Sequence, residues 1–407
     1  MKYISLLVVA CVAWSSTSVN AAPSFISAQG GVNATAVAGS YIVVLKDASS
    51  TSSFQPKLDN LVRRVHNGRN GGPKLSINHK FESFHGYHLK ATGGNVNTAL
   101  KELLGMDEID YIEQDQIVTL HQRVQNSPPS WGLPRVSQRG ALRNQRTPYK
   151  FPDQAGAGVT AYVIDTGINT GHVEFQGRAK MGANFVQGSP NTDENGHGSH
   201  VSGTIGGATY GVAKKVKLVG VKVLNAQGQG LNSGIVAAMD WVVKNNKGKK
   251  AVVNMSLGGG SSRAVNDAAA RLYQANIPVI VAAGNDENQN ACNGSPSGAP
   301  AAFAVGASDI SDNVASFSSF GKCVKIFGPG VQITSAWIGG KNARNTISGT
   351  SMATPHVVGV AALYLSSQSN LKSASQVYKT LTSTATRNAV RGSLRGSANL
   401  MVFNGAK

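Results

Sequence analysis

Short apolar runs at 161–164, 216–223, 251–254, 279–281 and 303–305, each bounded by glycine or polar residues, constrain this chain most. Segments with helical spacing at 233–243 and 264–275 separate several of them. Strands that are apolar throughout, rather than alternating, are buried on both faces, and their interleaving with helices predicts an α/β parallel sheet with helices on both faces. In such a sheet the chemistry gathers where strands end at their carboxyl termini. With 407 residues, 47 of them glycine and only 14% charged, the chain can bury one large core and a smaller one, with many tight turns between.

The N-terminal part reads differently. Residues 1–21 carry Lys2, an apolar run from Ile4 to Trp14 and small residues up to Ala21, the three zones of a signal peptide cleaved after Ala21 or Ala22. The apolar run falls short of the roughly 18 residues that span a bilayer, so the expectation is a secreted, extracellular protein with no membrane association. Residues 23–40 are small and polar. A strand at 41–45, a helix marked by Leu58, Leu61, Val62 and Val65, a strand over 81–89, a helix over 96–104 and a strand at 109–113 then outline a small α+β unit without a catalytic constellation. Residues 122–134, with Pro128 and Pro129, read as a linker.

Cys11 leaves with the signal peptide, and the remaining pair, Cys292 and Cys323, reads as a disulfide in an oxidising compartment. Of the net charge of +18, residues 122–407 hold 28 basic against 11 acidic residues, about +17. Such a balance fits nucleic acid or an anionic wall polymer as partner. Apart from Lys214, Lys215 and Lys217 and the run 244–250, however, the lysines are scattered, and no aromatic platform or groove-reading motif accompanies them. The expectation is a cationic soluble surface with no nucleic-acid partner.

Three motifs carry chemistry. Asp165 directly follows the run 161–164 and is turned away by Thr166 and Gly167, where an orienting carboxylate would sit, although a turn aspartate or a ribose ligand has the same position. His197 lies between Gly196 and Gly198 at the start of an apolar helix; with His200 it lacks the spacing and glutamate of a zinc motif, so no metal is expected there. Ser351 opens the apolar helix over 356–365, where backbone N–H groups and the helix dipole favour a developing oxyanion, although serine at a helix start is often only a cap.

Together, in the order Asp, His, Ser, the blocks DTGI, NGHGSH and GTSMATPH, with SLGG at 256–259 and AAGN at 282–285, resemble the subtilases, and within them the proteinase K subfamily. The resemblance implies a subtilisin-like parallel sheet over 122–407 and an inhibitory propeptide over 22–121, a small α+β, ferredoxin-like domain, of which residues 41–121 are similar to that family's propeptide. It implies a serine endopeptidase with Asp165, His197 and Ser351 as triad, Asn285 and the Ser351 N–H as oxyanion hole, and self-processing from a precursor that its own propeptide inhibits. Protein and peptide substrates would lie as an added strand between Ser256-Leu257-Gly258 and Gly228-Gln229-Gly230. Ala282, Ala283 and Gly284 would edge a chargeless primary pocket for apolar or aromatic side chains, with Leu224 and Ile235 forming a second pocket, all equally readable as core. The alternative is a catalytically inactive binding protein of the same fold, for which no triad member is missing. A monomer is expected.

The family needs no cofactor for catalysis, though many relatives bind calcium through an aspartate before an Ile-Phe-Gly-Pro-Gly segment. Here Lys325 stands in that place, with Pro300 and Ala302 matching the carbonyl donors, so the site should reject a cation, the ammonium either bonding those carbonyls or pointing to water. Asp193 and Glu194 read as a loose calcium site or an exposed face. Asn33, Asn254 and Asn293 begin glycosylation sequons, the second in an expected buried strand.

Overall fold

The computed structural model describes residues 22–27, 35–66, 74–81, 85–94, 96–117, 122–142 and 147–406. The signal sequence, the sequon at Asn33 and the expected cut at His121 lie outside them. The chain divides into two compact units, Met1–Thr119 and Leu120–Lys407.

In the first unit, β1 (Ser24–Ile26), β2 (Thr35–Leu45), α1 (Ser50–His66), β3 (Lys74–Phe81), β4 (Gly86–Thr92), α2 (Val96–Leu104) and β5 (Ile109–Ile117) form a five-stranded sheet ordered β1-β5-β2-β4-β3. Its β2–β5 portion is antiparallel and alternates strands with two helices in the ferredoxin-like manner. Phe54, Leu58 and Leu61 of α1, spaced to share one helix face, pack with Leu89, Leu103 and Ile112 in its core. The single strand expected over 81–89 is two: β3 ends at Phe81 and β4 begins at Gly86, after His85 in the left-handed region at φ 51°. Apolar residues on both sides of the break disguised it as one run.

The expected linker, 122–134, is part of the second unit. β6 (Gln122–Gln125) pairs with β7 (Tyr149–Pro152), and α3 (Gly132–Val136) is buried throughout. Arg135, fully buried, forms a two-pronged ion pair with Asp312 at 2.6 and 3.2 Å. Beyond these come β8 (Thr160–Asp165), β9 (Ala179–Asn184), α4 (His197–Gly206), β10 (Lys217–Lys222), α5 (Asn232–Asn246), β11 (Ala251–Met255), β12 (Gly259–Gly260), α6 (Arg263–Gln274), β13 (Val279–Ala282) and β14 (Gly294–Ser295). β15 (Phe303–Ser308), β16 (Val324–Pro329), β17 (Ile333–Ala336), β18 (Arg344–Ile347), α7 (Thr350–Ser367), α8 (Ala374–Thr384), β19 (Thr386–Arg387) and β20 (Leu400–Met401) complete it.

A nine-stranded sheet runs β19-β20-β16-β15-β13-β11-β8-β10-β9, and only the β19–β20 pair is antiparallel. Its two faces are legible in β8: Ala161 and Val163 point into a core with α4 and α7, while Tyr162 and Ile164 point into another with α5 and α6. α5 and α6 are amphipathic, burying Ile235, Ala238, Met239 and Val242, and Val265, Ala268, Ala269 and Leu272, at helical spacing. α4 and α7 are buried almost all round, which holds their first turns rigidly at the carboxyl edge of the sheet. Those two turns carry His197 and Ser351. Cys292 and Cys323, 31 positions apart, form a disulfide with Cα atoms 5.3 Å apart, and closing a loop of that many residues contributes about 3–4 kcal/mol in the chain-entropy account.

Candidate active site

Asp165 is the last residue of β8 and is completely buried. Its Oδ1 accepts from the Thr166 N–H at 2.7 Å and pairs with His197 Nδ1 at 2.8 Å, which fixes the imidazole so that Nε2 is the free nitrogen. Burial is the largest influence on His197 and opposes its ionisation. The charge of Asp165, the hydrogen bond to it and the charge of Asp193 together outweigh burial and raise the imidazole above its ordinary value. The glycines flanking His197 admit close neighbours to the backbone beside it. A Cβ on Gly198 would lie 2.1 Å from the Gly167 carbonyl, and one on Gly196 would meet the Trp337 indole at 2.4 Å. His200, buried and bonded to the Ile333 carbonyl at 2.9 Å, is structural, its pKa pushed down to about 3 by burial.

Asp193, read as part of a loose cation site or an exposed face, is not exposed. It is buried, and its carboxylate accepts five hydrogen bonds, from Thr166 Oγ1, the Asn195, Gly196 and Ser199 N–H groups, and Ser199 Oγ, at 2.6–3.0 Å. Thr166 Oγ1 in turn accepts from the Gly198 N–H at 2.9 Å, so one carboxylate ties the turn after Asp165 to the first turn of the His197 helix. Behind it the fully buried Lys222, paired in register with Asp165, donates to the Thr166 and Leu224 carbonyls at 2.7 and 2.8 Å and lies 3.5 Å from the Glu194 carboxylate. Asp193 next to an NGHG block was the only sequence signal for this network.

Ser351 Oγ donates to the Ser256 carbonyl at 3.1 Å, and Ser256 Oγ donates back to the Ser351 carbonyl at 2.9 Å. Asn285 is exposed, but its Oδ1 accepts from both the N–H and the hydroxyl of Thr350, each at 2.8 Å. With its oxygen occupied, the amide Nδ2 is the end left to donate, and a Cβ on Gly349 would crowd it at 3.3 Å. Thr350, 65 positions away in sequence and marked by no motif of its own, is what orients Asn285.

Two clefts adjoin along Leu257, Gly258 and Gly259. One, of about 440 Å³, is lined by His197, Leu224, Ile235, Ser256 and the lip Gly228, Gln229 and Gly230. Asn225 Oδ1 holds that lip through the Gln227 and Gln229 N–H groups at 3.0 and 2.9 Å, and a Cβ on Gly230 would lie 2.1 Å from the Val223 carbonyl. The other, of about 390 Å³, is lined by Ala282, Ala283, Gly284, Asn285, Thr350 and Ser351, and contains no charged side chain. Gln289 and Ser297 add polar groups to it that sequence reasoning missed. All eleven residues expected to bind substrate therefore border one cleft or the other.

Among the described residues, no three His, Cys, Asp or Glu side chains gather as a metal site. Lys325 is exposed and donates to the Lys322 carbonyl at 3.1 Å, not to the carbonyls of Pro300 or Ala302. Among the described residues no helix is long and apolar enough to cross a membrane.

A parallel sheet with an imidazole–carboxylate pair and a buried-helix serine at its carboxyl edge is an architecture of hydrolases. The subtilase family profile matches residues 156–398, and the peptidase inhibitor I9 profile matches residues 40–121. The chain belongs to the subtilase family and is a serine endopeptidase with an inhibitor-type N-terminal domain. It is 43% identical over 370 residues to subtilisin-like protease 2 of Pseudogymnoascus destructans, covering 90% of this chain and 89% of that protein. It is 44% identical over 328 residues to a cuticle-degrading protease of Metarhizium anisopliae, covering 80% and 81%. The crystal structure of a cold-adapted subtilisin-like serine proteinase matches with a TM-score of 0.63 and 47% identity, over 68% of this chain and 98% of that one. Catalysis in this family requires no cofactor.

Proposed function

We propose that Ser351, His197 and Asp165 form the catalytic triad of a secreted, broad-specificity endopeptidase. The observation that carries this reading is the 2.8 Å bond between Asp165 and His197, beside a cleft that adjoins the one lined by the start of the Ser351 helix. Ser351 Oγ turns from the Ser256 carbonyl to His197 Nε2, loses its proton to it and attacks the peptide carbonyl. The oxyanion is held by Asn285 Nδ2, the Ser351 N–H and the positive end of α7. His197 returns the proton to the leaving amine, and water then releases the acyl group by the same steps in reverse. Asp165 keeps the tautomer and balances the imidazolium charge.

The substrate runs as an added strand between the Ser256–Gly258 edge and the Gly228–Gly230 lip. The chargeless cleft at Ala282–Gly284 supports an apolar or aromatic side chain before the cut, and Leu224 with Ile235 supports a second apolar position. Residues 1–21 direct export, 22–121 inhibit until removed, and 122–407 act as a monomeric enzyme. The pairing of β6 with β7 inside the second unit supports counting Gln122–Gln125 with the enzyme. Asn293, exposed beside the disulfide, suits glycosylation, whereas Asn254 is buried. Expression of Ser351→Ala without other proteases tests both claims. The variant should accumulate as full precursor and leave casein uncut. Mature protein from that variant would refute self-processing, and remaining casein hydrolysis would refute the role of Ser351.

A further inference from the structure

Basic residues that lie in separate stretches of the sequence meet in the fold. Thr160 of β8 pairs with Lys217 at the start of β10 on one side and with Ala251 at the start of β11 on the other, and Leu218 pairs with Ala179 at the start of β9. With strands about 4.8 Å apart, Lys249 and Lys250, Lys217, and Arg178 with Lys180 line one rim of about 15 Å. Lys215 lies beside Lys217, and Lys244 and Lys247 extend the rim from the C-terminal end of α5. Segments 176–184, 209–218 and 241–252 hold nine Lys and Arg residues and no Asp or Glu.

The rim is mostly uncompensated. Lys244 pairs with Asp240 at 2.6 Å. Lys214 folds back onto the Thr209 and Gly211 carbonyls, Lys250 onto the Leu365 carbonyl, and Arg178 onto the Gly206, Val216 and Glu174 carbonyls. Lys215 donates to the Asp153 carbonyl at 2.9 Å, and Lys180, Lys215, Lys217, Lys247 and Lys249 are exposed and form no ion pair among the described residues. All stand at the amino ends of the strands, whereas Asp165 ends β8 and Ala282 ends β13 at the edge bearing the clefts. Six strand residues span about 20 Å, so the lysines and the clefts occupy opposite edges of the sheet. Asp165, Asp193 and Glu194, offset in part by Lys222, add negative charge at the cleft edge, in contrast to the rim, whose three segments hold no acidic residue.

We propose that this lysine rim is a docking face for an acidic polysaccharide, which would hold the enzyme with its substrate groove turned away from the polymer. Lysines are compact, strongly hydrated point charges suited to carboxylate or sulfate groups at loose spacing. Single-stranded nucleic acid binders need aromatic platforms for the bases, and interfacial membrane binders need apolar side chains to insert. The large apolar residues exposed among the described residues are Phe25, Val124, Val173 and Leu231, none of which lies in the three basic segments. The location of the face is independent of the catalytic roles proposed above, while the choice of an extracellular polymer rests on export.

The test uses processed, inhibitor-blocked enzyme from the full chain, with polygalacturonate on beads as probe and neutral dextran as blank. Wild type should bind polygalacturonate and lose affinity steeply between about 0.05 and 0.2 M salt, as counterion release requires. Combining Lys215→Glu, Lys217→Glu, Lys247→Glu and Lys249→Glu should weaken binding by about 100-fold or more, while unblocked enzyme hydrolyses a small soluble peptide at the parental rate. The same charge change at Lys322, Arg344, Lys372 and Arg391 should shift affinity by no more than about 3-fold. If the reversed rim impairs folding, the four Lys→Gln changes replace it and should weaken binding by about 10-fold. Equal losses for the two sets, absence of binding by wild type, or tighter binding to duplex DNA than to polygalacturonate would each overturn the proposal. Loss of peptide hydrolysis on replacing Ser351 or His197, with polymer binding kept, bears on the catalytic reading alone.

Discussion

Asp193→Asn separates what the buried carboxylate does by shape from what it does by charge. The amide keeps the outline but replaces one acceptor oxygen by a donor. Placed at Oδ2, it would face the Ser199 N–H and hydroxyl, which now lie 2.9 and 2.6 Å away; the hydroxyl can turn to accept, but the N–H is left unpaired at about 1–3 kcal/mol. The three bonds at Oδ1, from Thr166 Oγ1 and the Asn195 and Gly196 N–H groups, lose the charge that makes such bonds about twice as strong as neutral ones. The total is about 3–5 kcal/mol, on the order of 10 °C in melting temperature for a unit of this size. The charge also helps to raise the pKa of His197, which must be neutral to act as base. Its removal should therefore move the acid limb of kcat/KM to lower pH, while loosened anchoring of Asp165 and His197 lowers kcat by about 10- to 100-fold. Thr166→Val is the companion: it breaks the same bridge but keeps the charge, so it should cost stability and kcat without moving the acid limb. The assays are thermal unfolding of inhibitor-blocked enzyme and hydrolysis of a soluble peptide across pH. An acid limb unmoved in Asp193→Asn, or moved equally in Thr166→Val, would refute the electrostatic part of the reasoning.

Asn285→Ala should lower kcat by about 100- to 1,000-fold, and Thr350→Val, which frees only one of the two bonds orienting that amide, by about 10-fold at little change in KM; a loss under about 10-fold for Asn285→Ala would remove Asn285 from the oxyanion site. His200 and His356 are held neutral by burial, with pKa values pushed down to about 3 and about 4, so their contribution to stability is complete above about pH 6.5 and is lost as pH falls below it. Inhibitor-blocked enzyme should lose about 3 kcal/mol from His356 alone between pH 6.5 and 4, and His356→Leu should flatten the slope of stability against pH; an unchanged slope would contradict this. Chelation should leave the melting temperature of inhibitor-blocked enzyme unaltered, because Lys325 stands in the expected cation place and every oxygen of Asp193 already accepts protein donors; a rise of about 5 °C in millimolar calcium would show a site elsewhere.

The central sheet was legible because its strands are written as uninterrupted apolar runs. β9 was not: Ala-Lys-Met-Gly-Ala-Asn has no β-branched residue and stands at the sheet edge, where pairing rather than burial defines the strand. Asp165, His197 and Ser351 were legible for a related reason, since each sits where a regular element starts or stops and those boundaries leave a mark in sequence. What escaped is made of contacts between boundaries. Thr350 touches Asn285 across 65 positions, and Lys222 reaches Thr166 across 56, by hydrogen bonds that carry no periodicity and no spacing rule. Lys217 and Lys249 stood in two separate basic runs with no visible connection for the same cause: two strands that both pair with Thr160 bring them to one rim, and only strand order says so. A linear pattern records which face of its own element a residue occupies. Charge and hydrogen-bond partners depend on which elements are neighbours, and in a parallel sheet, where every neighbour is reached by a crossover, that information is carried by the packing of the whole unit.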